Sequence, residues 1–308
     1  MTALAETRAA FVMHEREFEH VLGSEPRLEK VADTDAHEGP VYVRGEQALY
    51  FTSLPPDAQV KRLDLLSGAV TVVDAVVREP NGMTLDRAGQ LVICEQGSID
   101  SPARIARHNL ATGETESLVD NFGGAGLNSP NDVVVKSDGT VWFTDPSYGH
   151  LQGFRPAPEV GDFVYRFDPR SGRLTVVADS FVKPNGLAFS AHEQTLYVTD
   201  SGANQEPGSF HPSLPHHIVA FDIRDGRHLG PGRLFAVTTP GFPDGLKVDT
   251  AGRVYASSFT GVQVFNPAGD LIGEISLPGA VNFCFGGPRR NVLYITADTG
   301  VWAAELAG

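Results

Sequence analysis

The chain has 308 residues, 41% of them hydrophobic and 20% charged, enough apolar material to bury a core without help from disulfides or a structural metal. A formal charge of −14 argues against nucleic acid and acidic membranes as partners, because phosphate surfaces are bound by clustered Lys and Arg. Two cysteines, Cys94 and Cys284, fall in separate predicted strands and read as buried free thiols, and 33 Gly with 21 Pro suit an all-β chain rich in turns.

Residues 1–37 form an N-terminal segment whose first twenty residues scatter charge throughout and lack the apolar centre of a signal peptide. No stretch of the chain is apolar enough to span a bilayer, so a cytoplasmic protein is expected. Within the segment two short strands are predicted, at 18–22 and 28–32, with a helix over 5–20 as the rival to the first.

From Glu38 onward one hairpin grammar recurs six times: EGPVYVRGEQALYFTS, NGMTLDRAGQLVICE, NDVVVKSDGTVWFTD, NGLAFSAHEQTLYVTD, DGLKVDTAGRVYASS and NFCFGGPRRNVLYITA. Each unit opens on an oxygen-bearing residue, runs through an apolar stretch and a polar turn, and ends a second apolar stretch fourteen or fifteen residues later. The leading residues Glu38, Asn81, Asn131, Asn185, Asp244 and Asn282 are spaced by 43, 50, 54, 59 and 38 residues, the period of propeller blades with insertions of varying length. The prediction is an all-β, six-bladed β-propeller with four-stranded blades, one domain over 1–308 with its blades in 38–308.

In the first blade four strands are expected, at 38–43, 48–52, 60–65 and 69–73. The second carries a loop in CEQGSIDSPARI, and the third and fourth carry Pro/Gly-rich insertions after Asp145 and Asp200. Both insertions follow the second strand of their blade, which places them as lids over one mouth of the channel. Trp142 reads as packing between blades. The last blade offers only three strands, at 281–285, 292–296 and 301–306, so the strand at 28–32 is free to complete it and close the ring.

If every leading residue opens an innermost strand, six oxygen-bearing side chains meet at one end of the channel. Turn formation explains any one of them but not all six, since converging unpaired polar groups are costly to desolvate. A cation is the natural compensation. Carboxylate and carboxamide oxygens suit calcium, magnesium or manganese, and the two carboxylates Glu38 and Asp244 can neutralise a divalent ion. His211, His216 and His217 hint at zinc, but no Cys accompanies them.

The segments EGPVYV, LNSPNDVVVKSDGTVWFTDPSYG, VKPNGLAFS with LYVTDSG, and FPDGLKVD resemble the hallmark segments of the senescence marker protein/gluconolactonase family, which includes regucalcin, from about residue 38 to the C-terminus. The resemblance implies a six-bladed propeller with one divalent metal ion in its channel, calcium first with magnesium, manganese or zinc as alternatives. It also implies hydrolysis of a small-molecule lactone by attack of water on a polarised carbonyl. Carried over by residue, it puts metal ligands at Glu38, Asn185 and Asp244, makes Asn131 a further ligand or a substrate contact, and makes Asp244 the catalytic base, with the cation itself as the alternative activator of water. Asn81, Asn131, Glu95 and Tyr148 are the expected substrate-binding residues. The second-blade loop CEQGSIDSPARI departs from the family's CEHGNRRV, so gluconolactone itself is not implied. A metal-dependent esterase or phosphotriesterase and a non-catalytic propeller that binds calcium or a small ligand are the competing readings. The oligomeric state is not legible.

Overall fold

The computed structural model describes residues 10–23 and 25–307. Among them the six repeats become six antiparallel sheets built from the channel outward, beginning with Glu38–Val43, Ala48–Thr52, Val60–Asp64 and Val70–Val72. The innermost strands touch their neighbours in cyclic order, the sixth returning to the first, so the sheets form a closed ring: a six-bladed β-propeller. Because each sheet is covered on both faces, second strands such as Leu91–Glu95 and Val141–Asp145 are buried along their whole length instead of alternating. The core lies between blades. Trp142 is fully buried with Leu187, Leu196 and Phe221 between the third and fourth, and Cys94 and Cys284 are buried and free.

The closing strand runs over Arg27–Ala36 and pairs with Asp298–Glu305, from Arg27 opposite Glu305 to Ala36 opposite Asp298. Both ends of the chain therefore build the sixth blade. The strand predicted at 18–22 is replaced by a 3-10 turn, Arg16–Phe18, and one helical turn, Glu19–Leu22. Phe18 and Val21 are three residues apart, which puts them on one side of a helical turn but on opposite faces of a strand. Both are buried with Ile272, Leu293 and Ala304 between the fifth and sixth blades, a placement that only the helical form allows. The rival helix over 5–20 gives way to a strand, Phe11–Met13, which adds a fifth member to the fifth blade against Leu271–Ser276; residues 1–9 lie outside the described part.

Candidate cation and substrate site

At three blades the strand register slips by one residue beside the leading position, between Glu38 and Val41, Pro80 and Met83, and Pro184 and Leu187. Such bulges re-aim a side chain. The Asn-Gly pairs at Asn81 and Asn185 are thus bulges inside strands and not turns. Glycine follows because the next blade comes too close for a Cβ, which would stand 2.4 Å from Asn131 O at Gly82 and 2.3 Å from Asp244 O at Gly186. Threonines near the ends of second strands hold carbonyls of the leading residues. Thr52 Oγ1 donates to Asn81 O at 3.2 Å, Thr144 Oγ1 to Asn185 O at 2.7 Å, and Thr199 Oγ1 to Asp244 O at 3.1 Å. At three of the blades the second strand thereby positions the leading residue of the next blade.

The result is a cavity of about 780 Å³ at the lidded end of the channel, lined by Glu38, Asn81, Asn131, Asn185, Asp244 and Tyr148. Both insertions reach it, the third-blade one through Gln152 and Phe154, the fourth-blade one through Asn204 and Pro207. Asn282 does not line it. Its Nδ2 donates to Glu38 Oε2 at 2.7 Å, and its Oδ1 accepts from Phe283 N at 2.8 Å and Lys247 Nζ at 3.2 Å, so it supports Glu38 from behind.

Glu95, expected among the substrate contacts, is turned away from the cavity. Its Oε1 accepts from Arg78 N at 2.9 Å and its Oε2 pairs with Arg104 Nε at 2.5 Å, while the next residue, Gln96, lines the cavity. The cause is a role shared by the acids that end second strands. Asp145 accepts from the backbone of Asn128 and Ser129, both at 2.9 Å, and Asp200 from Val182 at 3.0 Å and Lys183 at 2.9 Å. These carboxylates fasten the segment that leads into the innermost strand of their own blade.

Three buried oxygens at the heart of the site, Glu38 Oε1, Asn131 Oδ1 and Asn185 Oδ1, have no hydrogen-bond partner among the described residues. Glu38 is 2% exposed. Burial first, then the charges of Asp244 and Asp132, push its carboxyl up to about 8. Asp244 opens onto the same cavity as Glu38 and Asn185, and burial above all pushes it up to about 7. No three His, Cys, Asp or Glu side chains among the described residues form a ligating array, so carboxamides must complete any cation site here. Two carboxylates and two carboxamides, three of the four with an orphaned oxygen, fit a hard divalent cation.

Sequence reasoning missed two features. Asp132 is 2% exposed, accepts from Val133 N at 2.8 Å through Oδ1 and has Oδ2 3.8 Å from Lys247 Nζ; burial raises its pKa. It stands where four other repeats carry Gly, and that substitution was the available signal. His37 and Asp298 both line the cavity beside Glu38, with His37 Nδ1 2.8 Å from Asp298 Oδ1. Its place next to Glu38 was the only clue.

Residues 36–299 match the family model described as SMP-30/Gluconolactonase/LRE-like region. The chain belongs to that family. A gluconolactonase of Zymomonas mobilis is 31% identical, aligned over 90% of this chain and 83% of its own length. Lactonohydrolase oryL of Aspergillus oryzae is 28% identical over 91% of this chain and 70% of its own. Among solved structures, a gluconolactonase of Xanthomonas campestris has 35% identity and a TM-score of 0.82, covering 96% of this chain and 94% of that one. A regucalcin of Agrobacterium tumefaciens, at 17% identity and a TM-score of 0.69, shares the fold over 90% of this chain and 93% of its own. The SMP-30/gluconolactonase family model ends at residue 299, so it leaves out most of the strand Asp298–Glu305 on which the ring closes.

Proposed function

We propose that this protein is a divalent-cation-dependent lactonase whose cation is held by Glu38, Asn131, Asn185 and Asp244. The observation that carries the reading is the trio of buried, unpartnered oxygens on Glu38, Asn131 and Asn185, each of which costs free energy unless something electropositive meets it. A cation bound there would supply Lewis-acid stabilisation of the charge that develops on the lactone carbonyl oxygen. Calcium, magnesium and manganese suit this all-oxygen set. The names of the relatives, a gluconolactonase and a lactonohydrolase, support the reaction class.

The chain's own residues do the rest. Asp244 lies at the cavity surface and not behind it, within reach of a water on the substrate side; it accepts that water's proton as the water oxygen bonds to the lactone carbon, and returns it to the ring oxygen as the ring C–O bond breaks, giving the hydroxy acid. Asn81, whose Nδ2 is engaged by Asn131 O at 3.1 Å, presents its carbonyl side to the cavity, and Tyr148, its hydroxyl 3.3 Å from Ser201 O, forms part of the wall. Asn282 and Gly39 N, at 2.7 Å and 2.9 Å from Glu38 Oε2, fix that carboxylate so that Oε1 faces inward. The two insertions limit entry of bulk water.

The test is to strip the protein with a chelator, reload it with single divalent ions, and follow acid release on a lactone panel while calorimetry reports occupancy. Turnover should vanish on stripping and return with one of the oxygen-preferring ions. Turnover that ignores chelation would refute the cation, and inertness towards every lactone under every ion would refute the enzyme.

A further inference from the structure

The cavity walls carry information on the substrate that the cation site does not. Among the described residues lining it there is no Lys and no Arg; the charged side chains are Glu38, Asp244 and Asp298, with His37 held by Asp298. A cation on Glu38 and Asp244 neutralises those two, and away from it the lining has no Lys or Arg to receive a phosphate, sulfonate or carboxylate on the substituent. Beside the fourth-blade insertion the wall is aromatic. Phe259, in the two-residue turn between Val254–Ser258 and Gly261–Phe265, is 47% exposed at the mouth. Its ring packs edge-on against Phe242 at 5.3 Å and Phe210 at 5.4 Å, the latter from the fourth-blade insertion and 39% exposed.

This aromatic group is built in place. Phe259 N donates to Pro240 O at 3.2 Å, and the ring lies so close to the backbone of Gly241 that a Cβ there would stand 2.5 Å from it. Gly241 has φ of +97°, a conformation suited to glycine. Exposed aromatic rings fixed in this way beside a reactive centre are expected to contact a ligand, because a contiguous apolar patch on a soluble surface is otherwise disfavoured. The cavity of about 780 Å³ also lies well within the range of roughly 300–1,000 Å³ that accommodates drug-sized ligands, far more room than a bare lactone ring fills.

We infer that the substrate is an uncharged lactone carrying an aromatic or bulky aliphatic substituent, the ring seated at the cation site and the substituent against Phe259 and Phe242. This rests on the lactonase reading and narrows it. Anionic lactones are excluded by the acidic, cation-poor wall, and a polyhydroxylated sugar lactone leaves the aromatic face uncovered.

The experiment compares kcat/KM of the cation-loaded full chain for four lactones of one ring size: unsubstituted, phenyl-substituted, polyhydroxylated, and carboxyphenyl-substituted. The phenyl compound should exceed the unsubstituted and the carboxyphenyl compounds by about tenfold or more, as expected for an apolar group filling a fitted pocket. In Phe259→Ala the phenyl-to-unsubstituted ratio should fall by about the same factor, and Phe259→Leu should restore part of it, a pattern that misfolding does not give. A polyhydroxylated or anionic lactone as the best substrate, or a ratio unmoved in both variants, overturns the inference while leaving the lactonase intact. Inertness of all four under every ion instead overturns the lactonase reading and this inference with it.

Discussion

Glu38 and Asp244 share one environment yet face different tasks. Glu38 is sealed in, its Oε2 held by Asn282 and Gly39, and only Oε1 is free to serve a cation. Asp244 meets the cavity and can also meet water. Replacing Glu38 by Gln should weaken cation binding by at least about 10–100-fold, the cost recorded for disturbing even an indirect partner of a ligand, and excess cation should recover much of the activity. Asp244→Asn keeps an oxygen for the cation but cannot take a proton, so turnover should stay down by about 10²- to 10⁴-fold at saturating cation. Occupancy and turnover measured together decide; full rescue of Asp244→Asn by cation would reduce Asp244 to a ligand. The same pair fixes a pH signature. Their carboxyls rise from 4.5 and 3.8 to about 8 and about 7, so the folded, cation-free state is favoured by protonation. That stability is fully present below the unfolded values and is lost as pH climbs through about 7–8. Cation-free protein should therefore melt progressively lower between about pH 5 and 8, and the slope should flatten in Glu38→Gln and on cation loading.

At the level of elements, what could be read from the chain is what has a fixed length. A strand, a turn and a strand spanning fourteen or fifteen residues place the leading residues at one end of every blade, which is why Glu38, Asn81, Asn131, Asn185 and Asp244 were all found. Side-chain direction was not legible. Whether Asn282 faces the cavity or Glu38 depends on local dihedrals, and whether Glu95 or Gln96 does so depends on how the backbone leaves the strand. The lids were legible as insertions, but their fastening was not. Arg155 in the third-blade insertion donates to Asn128 O at 2.9 Å, Leu127 O at 3.0 Å, Ser98 O at 2.8 Å and Ser101 O at 2.7 Å, binding the lid to the second-blade loop. No spacing rule links residue 155 to residues 98 and 101. Arg155→Met keeps the stem but removes a charged donor from four carbonyls, at a cost of about 2–3 kcal/mol for a charged hydrogen-bonding group. We expect a lowered melting temperature and a KM raised for lactones, with cation affinity unchanged because Arg155 lies outside the ligand set. A weakened cation affinity in this variant would mean that the lid helps to shape the cation site.

For the whole molecule the decisive element is the last strand added, which comes from the beginning of the chain. Arg27–Ala36 covers the full edge of Asp298–Glu305, and Phe18 with Val21 fills the seam between the fifth and sixth blades, where Gly273 leaves room for the Phe18 ring: a Cβ there would stand 2.3 Å from it. These two contributions can be separated. Phe18→Ala should cost about 3–5 kcal/mol as a core cavity, while leaving the ring closed and the elution volume that of the intact protein. Deleting residues 1–36 removes the strand itself. The sixth blade then keeps three strands and an unpaired edge that includes the buried Val301, Ala303 and Ala304, a template for pairing with other chains. Only His37 separates the end of the closing strand from Glu38, so loosening that blade reaches the cation site directly. The truncated chain should aggregate on size exclusion and fail to bind cation, whereas Phe18→Ala should bind it normally at a temperature below its lowered melting point. A chain lacking residues 1–36 that elutes without aggregation and takes up cation like the intact protein would show that the ring closes without this strand.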